Sequence, residues 1–354
     1  MTDDFAQLRK RATARDRVYI DALEEYGSHR AAAAALGCAR GTISGAVSRA
    51  RVRSLTAPRQ PSEELDIPEP PDPNEPIRDL IARKKARHAR DQAAEQFHKL
   101  VPIRVKQRGP VAICAVGDPH VDDDRCDIDA IERDMSIIGR NEGMFALHVG
   151  DITNNWVGRL GRLYAHQSTT ASDGIRLAEW MFDLAPPLAV VGGNHDLWNE
   201  GMSWLNFCVR QAGCNLVQSH GVRLELQFPK GGPVRIHTRH DFPGHSQFNP
   251  VHGLRKEHLF GQRDHVNIAG HKHIDTYAVV PSPEGYMQHM LRVSGYKDHD
   301  DYAKAGNFQP MKMAPTCALI IDPTSTHPAE LIKPFWDLAE AADFLKFKRR
   351  RAAA

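Results

Sequence analysis

VAICAVGDPH, residues 111–120, is a run of six apolar residues that stops at Gly117 and passes straight into Asp118 and His120. It lacks period-two alternation, so it reads as a strand covered on both faces. Four more runs repeat the pattern: FALHV (145–149) ends in Gly150 and Asp151, and LAVV (188–191) ends in Gly192, Gly193, Asn194, His195 and Asp196. VRIHTR (234–239) ends in His240 and Asp241, and VNIA (266–269) in Gly270, His271, Lys272 and His273. In layered α/β folds functional groups gather in the crevice beyond the carboxyl ends of the strands, so the five tips are expected to converge. A glycine just ahead of the polar residues helps the chain leave its strand sharply and approach a metal or phosphate closely. Between the runs, DIDAIERDMSIIGRNE (127–142) and SDGIRLAEWMFDL (172–184) have the apolar spacing of crossover helices.

The order Asp-X-His, Gly-Asp, Gly-Asn-His-Asp, His, Gly-His-X-His over residues 118–273 resembles the motif set of the calcineurin-like metallophosphoesterases. The resemblance implies an α/β layered fold, a two-sheet β-sandwich flanked by helices. Carried over motif by motif, it implies that Asp118, His120 and His273 hold one divalent metal ion. Asn194, His240 and His271 would hold a second, with Asp151 bridging the two. Independently of the family, one shared carboxylate draws two cations to about 3.5 to 4 Å, where they make hydroxide available near neutral pH and neutralise phosphate oxygens. Mixed imidazole, carboxylate and amide ligation suits Mn²⁺, Fe or Zn²⁺ better than Ca²⁺, with Mn²⁺ the expected ion. For the fifth motif His237 and His240 compete, and His240 is preferred because it ends its strand.

His195 resembles the family's catalytic histidine, placed to give a proton to the leaving oxygen, with Asp196 as its orienting partner. Behind Asp151, the residues Asn155, Trp156, Arg159 and Arg162 are candidates to line a substrate groove, Arg for phosphate and Trp for base stacking. His245 and His252 are further candidates for substrate contact. The Asp-Arg-Gly element that follows Gly-Asp in protein serine/threonine phosphatases is absent after Asp151, which disfavours a protein substrate.

Around this core the 354-residue chain is divided by composition. Residues 1–55 are locally basic and read as a small all-α domain, with a helix over RDRVYIDALEEY, Gly27 ending it, Ser28 capping an Ala-rich helix, and a turn at Gly37. A polar-faced helix follows, with Ile43 and Val47 on its buried stripe and Arg40, Thr42, Ser44, Arg49 and Arg51 free for solvent or a partner. This resembles a helix-turn-helix unit, which implies DNA as the partner of the head. Residues 56–76 read as a proline-rich linker, 77–100 as a basic helix laid along the core with its charges in water, 101–335 as the catalytic domain, and 336–354 as a helix with a solvated basic tail. The layout also resembles phosphoesterases of bacteriophages and prophages.

With 41% hydrophobic and 25% charged residues, the chain has the composition of a soluble protein. No apolar run is long enough for a spanning helix and the N-terminus lacks a secretory signal, so a cytoplasmic protein without a membrane partner is expected. Six scattered cysteines without a C-x-x-C pair argue against a zinc ribbon or a disulfide framework. The expected function is hydrolysis of phosphodiester bonds, nucleic acid being the first choice. A phosphomonoesterase or cyclic-nucleotide phosphodiesterase, and a non-catalytic DNA-binding regulator or phage structural protein, stand as alternatives. The oligomeric state is not fixed by the sequence.

Overall fold

The computed structural model describes residues 4–56, 73–246, 248–298 and 313–353. The chain divides into two compact units, Met1–Ala82 and Arg83–Ala354. Residues 57–72 of the linker read over 56–76 lie outside the described residues.

The described residues of the first unit include α1 (Phe5–Arg11), α2 (Ala14–Tyr26), α3 (His29–Ala35) and α4 (Arg40–Thr56). The Thr13 hydroxyl caps α2, Gly27 closes it in the left-handed region, and the Ser28 hydroxyl caps α3. Leu8, Ile20, Leu23, Ala32, Ile43 and Val47 form its core. Arg49, expected to be free for solvent or a partner, is half-exposed and also bonded to the buried Asp16 of α2, Nη2 to Oδ1 at 2.6 Å. A carboxylate taken out of water needs such a partner, so Arg49 ties α4 to α2. The Arg49 guanidinium in turn holds the Asp16 carboxyl below its usual range. Arg40, Thr42, Ser44 and Arg51 lie on the outer side of α4, with Thr42 only half-exposed.

The division falls within α5 (Ile77–His98), a 22-residue helix with no buried residue. A sandwich of two six-stranded sheets follows. One sheet contains β1 (Val101–Arg104), β6 (Val222–Gln227), β7 (Val234–Thr238), β8 (Val266–Ala269), β10 (Met287–Arg292) and β9 (Thr276–Pro281), in that spatial order. The other runs β12 (Ile332–Phe335), β11 (Thr316–Ile321), β2 (Val111–Val116), β3 (Met144–His148), β4 (Pro187–Val191) and β5 (Val217–Gln218). Strands β2, β3, β4 and β5 are parallel, as are β7, β8 and β10, so their carboxyl ends share one edge within each sheet. The reason β2 is apolar throughout is now visible. Val111, Ile113 and Ala115 point between the sheets, whereas Ala112, Cys114 and Val116 point at the helices. Those helices are α6 (Ile128–Arg140), α7 (Ala171–Leu184), α8 (Gly201–Gln211) and the C-terminal helix Leu338–Ala353, and α9 (His252–Phe260) covers the far sheet.

The expected solvated tail is corrected in part. Lys348 pairs with Asp322 at 2.6 Å and Arg349 with Glu142 at 2.7 Å, while Arg349 also donates to Gln107 and the Pro110 carbonyl. These bonds clamp the helix onto the sheet. The six cysteines are free thiols, four of them buried. Among the described residues no helix is long and apolar enough to cross a membrane.

One buried group sets an acid limit on this fold. His148, at the end of β3, is fully buried against Phe182, with both ring nitrogens unpartnered among the described residues. Burial pushes its pKa from 6.5 down to about 3. Above pH 6.5 the ring is neutral in folded and unfolded chains alike and contributes no slope. Between 6.5 and about 3 only the unfolded chain takes the proton, so stability falls with pH by up to about 1.4 kcal/mol per unit. We expect His148→Leu to flatten the pH 7 to 4.5 decline in urea midpoint of the metal-free protein; an identical decline in both proteins would refute this.

Candidate metal and catalytic site

The strand tips converge as their spacing requires. Asp118 and His120 follow β2, Asp151 follows β3, Asn194 and His195 follow β4, His240 follows β7, and His271 and His273 follow β8. Donor atoms of Asp118, His120 and His273 lie within 4.8 Å of one another, and so do those of Asp151, His240 and His271. His273 Nε2 is 3.2 Å from Asp118 Oδ2, and His240 Nε2 is 3.2 Å from Asp151 Oδ2. Asn194 Oδ1 reaches His240 Nε2 at 3.1 Å, and His271 Nδ1 reaches the same atom at 3.0 Å. All seven residues expected to hold metal thus meet in one place. His237 does not: its Nδ1 lies 3.2 Å from Glu257 on α9 and its ring packs on Phe242, away from the cluster.

The site is built under strain. His120, Asp151, Asn155, His271 and His273 all have φ between +39° and +70°. Such non-glycine conformations cost of order 1 to 3 kcal/mol each and persist only where their surroundings impose them. The glycines beside the ligands are steric necessities. A Cβ on Gly193 would sit 2.1 Å from Asp151 Oδ1, and one on Gly270 would sit 2.3 Å from Asp118 Oδ1.

Charge and burial oppose each other here. Burial alone would lower His240, but the charges of Asp151 and Asp118 outweigh it and raise the imidazole to about 10. Burial likewise raises Asp151, and the surrounding histidines, His240 foremost, bring it well below the usual carboxylate range. His120 is pushed far down by burial, which keeps it neutral and ready to ligate. Asp118 Oδ1 and His120 Nδ1 are buried without a hydrogen-bond partner among the described residues. Buried polar atoms of this kind demand a partner. A set of four imidazoles, two carboxylates and an amide with unsatisfied atoms fits Mn²⁺, Fe or Zn²⁺.

No family model matches the chain, and no curated protein matches it. Solved structures similar to it include the calcineurin-like phosphoesterase YfkN from Bacillus subtilis, at 12% identity and a TM-score of 0.34 over 69% of this chain and 98% of that one. Vps29 from Chaetomium thermophilum gives 11% and 0.33 over 64% and 91%. Vps29 from Entamoeba histolytica, complexed with Zn²⁺, gives 14% and 0.28 over 64% and 97%. Likeness at this level decides nothing about chemistry, which is read from the residues themselves.

His195 stands beside the cluster, its Nε2 4.0 Å from Asp151 Oδ2. The expectation that Asp196 orients it is overturned. Asp196 is fully buried and accepts the backbone N–H groups of Asp151 (2.7 Å), Gly193 (2.8 Å) and Ile152 (3.1 Å). Burial and the nearby Asp151 charge raise the Asp196 pKa, and the backbone donors pull the other way. What holds the His195 ring is the carbonyl of Asn154, hydrogen-bonded to Nδ1. Trp198 packs on the ring with centroids 4.4 Å apart, Trp156 at 5.2 Å.

The substrate candidates separate. Trp156 reaches the site, its Nε1 bonded to Gln167 and its ring under the Lys297 ammonium. Lys297 is paired with Asp123 at 2.8 Å. Asn155 turns its amide into the backbone of the 195–198 turn. Arg159 and Arg162 lie exposed on a 3-10 helix, Gly158–His166, and His245 and His252 are exposed beyond His240. None of these four joins the ligand clusters found among the described residues.

Sequence reading missed Arg292. It is fully buried, donates to the Gly270 carbonyl and pairs with Asp241 at 2.8 Å, and so ties the chain before His271 to the chain after His240. Its strand gave only a weak signal: β10, MQHMLR, carries Gln288 and His289 within it, so the apolar run that marks the other strand tips is broken.

Proposed function

We propose that this chain is a metal-dependent phosphoesterase that hydrolyses phosphodiester bonds, with nucleic acid as its substrate class. The supporting observation is the pair of ligand clusters, Asp118, His120, His273 and Asp151, His240, His271, with Asn194 beside the second. Two divalent cations held there, Mn²⁺ first among them, would polarise the phosphoryl oxygens and lower the pKa of water. The chain's own groups do the rest. Asp118 Oδ2 accepts the His271 N–H at 2.8 Å, which fixes the loop bearing both terminal histidines. With Nδ1 committed to Asn154, His195 carries any second proton on Nε2, facing the site, where it can pass to the leaving oxygen. Trp156, Trp198 and neighbouring rings limit water around that proton.

Support for nucleic acid comes from charge. Along α5, Arg78, Arg83, Lys84, Lys85, Arg87 and Arg90 face three acids, Asp79, Asp91 and Glu95, on a helix with no buried side chain. An exposed basic helix suits a phosphate backbone, whose binding weakens steeply with salt. The outer face of α4, with Arg40 and Arg51, extends the same reading to the head, DNA being its proposed partner.

The test is hydrolysis of bis-p-nitrophenyl phosphate, p-nitrophenyl phosphate and labelled single- and double-stranded DNA, with Mn²⁺ and with EDTA. Metal-dependent DNA cleavage is expected. Cleavage of small esters alone would remove nucleic acid as substrate, and no turnover with metal bound would remove the enzyme. We further expect the triple variant of Lys84, Lys85 and Arg90 to Gln to flatten the plot of log K for DNA against log salt, by about 0.9 for every phosphate the helix no longer neutralises. An unchanged slope would take α5 out of the interface.

A further inference from the structure

We propose that Asn155 is a positioning residue for His195, acting through the backbone of the turn that carries it; the inference rests on the phosphoesterase reading. Asn155 has φ +39°, a left-handed conformation that Asn adopts more readily than other side chains. That backbone sends its amide back into the neighbouring turn. Nδ2 donates to the His195 carbonyl at 2.8 Å and to the Trp198 carbonyl at 2.9 Å. An amide nitrogen has two protons, and both are used, which leaves none for a substrate.

The two carbonyls lie at the ends of one short turn, closed by the Trp198 N–H donating to the His195 carbonyl at 3.3 Å. A single side chain therefore fixes the main chain of His195 and of Trp198, whose ring packs on the His195 ring. The fit is close, because a Cβ on Gly201 would stand 2.9 Å from Asn155 Nδ2. The preceding residue completes the grip, the Asn154 carbonyl holding Nδ1 of the same imidazole. Ring and backbone of His195 are thus held by one dipeptide, Asn154 and Asn155, which follows Asp151 after Ile152 and Thr153. Asn155 itself bonds only main-chain carbonyls, those of His195 and Trp198, and does not touch the imidazole it positions.

A residue that aims a proton donor leaves a signature that a merely structural residue does not. Loss of a general acid matters little for a good leaving group and greatly for a basic one, within the roughly 10² to 10⁴ that such catalysis contributes. The experiment compares hydrolysis of bis-p-nitrophenyl phosphate with that of an unactivated alkyl phosphodiester by wild type, Asn155→Ala, His195→Ala and the double variant, all loaded with Mn²⁺. We expect Asn155→Ala to lose about 10-fold on the alkyl ester and about 2-fold on the nitrophenyl ester. The double variant should be no worse than His195→Ala, because residues that act as a unit are not additive. Equal losses on both esters, or losses that multiply, would overturn the proposal.

A second readout needs neither turnover nor metal. In ¹⁵N-histidine-labelled, chelated protein, the His195 ring, identified by its absence in His195→Ala, should report Nδ1–H in wild type and a tautomer mixture in Asn155→Ala. An unchanged ring spectrum would overturn the positioning role. Should His195→Ala itself show no dependence on leaving group, the acid role assigned above falls, and the ring spectrum alone decides Asn155.

Discussion

Asp151→Asn is expected to cut turnover of bis-p-nitrophenyl phosphate by at least about 10³-fold, with bound Mn²⁺ falling below two per chain. The substitution preserves shape and removes one charge. Asp151 Oδ2 is the point on which three imidazoles converge, His240 Nε2 at 3.2 Å, His120 Nε2 at 3.9 Å and His195 Nε2 at 4.0 Å. Donor atoms of His120, Asp151 and His195 also lie within 4.8 Å of one another, so among the described residues Asp151 is the one carboxylate common to two such groups, this one and Asp151, His240 and His271. An amide there either turns N–H donors toward those nitrogens or gives up the N–H bond from His195 to Oδ1 at 2.9 Å. Steady-state rates with metal emission analysis of chelated and reloaded protein decide the matter. A rate within tenfold of wild type, or two full equivalents of metal, would sink the shared-carboxylate role.

The candidate ligands were legible because a strand buried on both faces tends to be apolar along its length, so the point where it meets polar residues marks the end of the sheet. Nothing else in the chain repeats that switch in the same order. The fold followed from the same signal, since strand-length runs, clearest in VAICAV and LAVV and interrupted in VRIHTR, separated by helical spacing leave few arrangements other than stacked layers. What stayed hidden was every interaction made through backbone. The grip of Asn154 on His195 uses a carbonyl, which any residue possesses, and no spacing rule distinguishes it. Asp196 lay next to His195 in sequence and was paired with it for that reason. In space the chain turns between them, and its carboxylate faces back into the strand ends. Arg49 shows a related limit: charge on a helix face pointed to solvent, and the side chain is indeed exposed, but its bond to the buried Asp16 33 residues earlier could not be read from that face.

Asp196→Ala tests this last assignment and should be the most damaging change to stability near the site. Its carboxylate satisfies three backbone N–H groups from two strand ends, those of Asp151 and Ile152 after β3 and of Gly193 after β4. Each buried donor left unsatisfied costs about 1 to 3 kcal/mol. The alanine variant should therefore lose about 3 to 5 kcal/mol, allowing for partial rehydration, a large share of the roughly 5 to 15 kcal/mol that holds a typical domain together. Asp196→Asn should be milder. Its oxygen can stay with Asp151 and Gly193 at the Oδ2 position, leaving only Ile152 opposed by an N–H, a loss of about 1 to 3 kcal/mol. Urea unfolding of the chelated protein, followed by tryptophan fluorescence, reads the second unit alone, because all five tryptophans lie between Trp156 and Trp336. If Asp196 served His195 instead, alanine would leave the midpoint in place and impair mainly esters with basic leaving groups. A midpoint that drops in the order wild type, asparagine, alanine identifies Asp196 as the tie that makes the strand ends, and with them the metal ligands, converge.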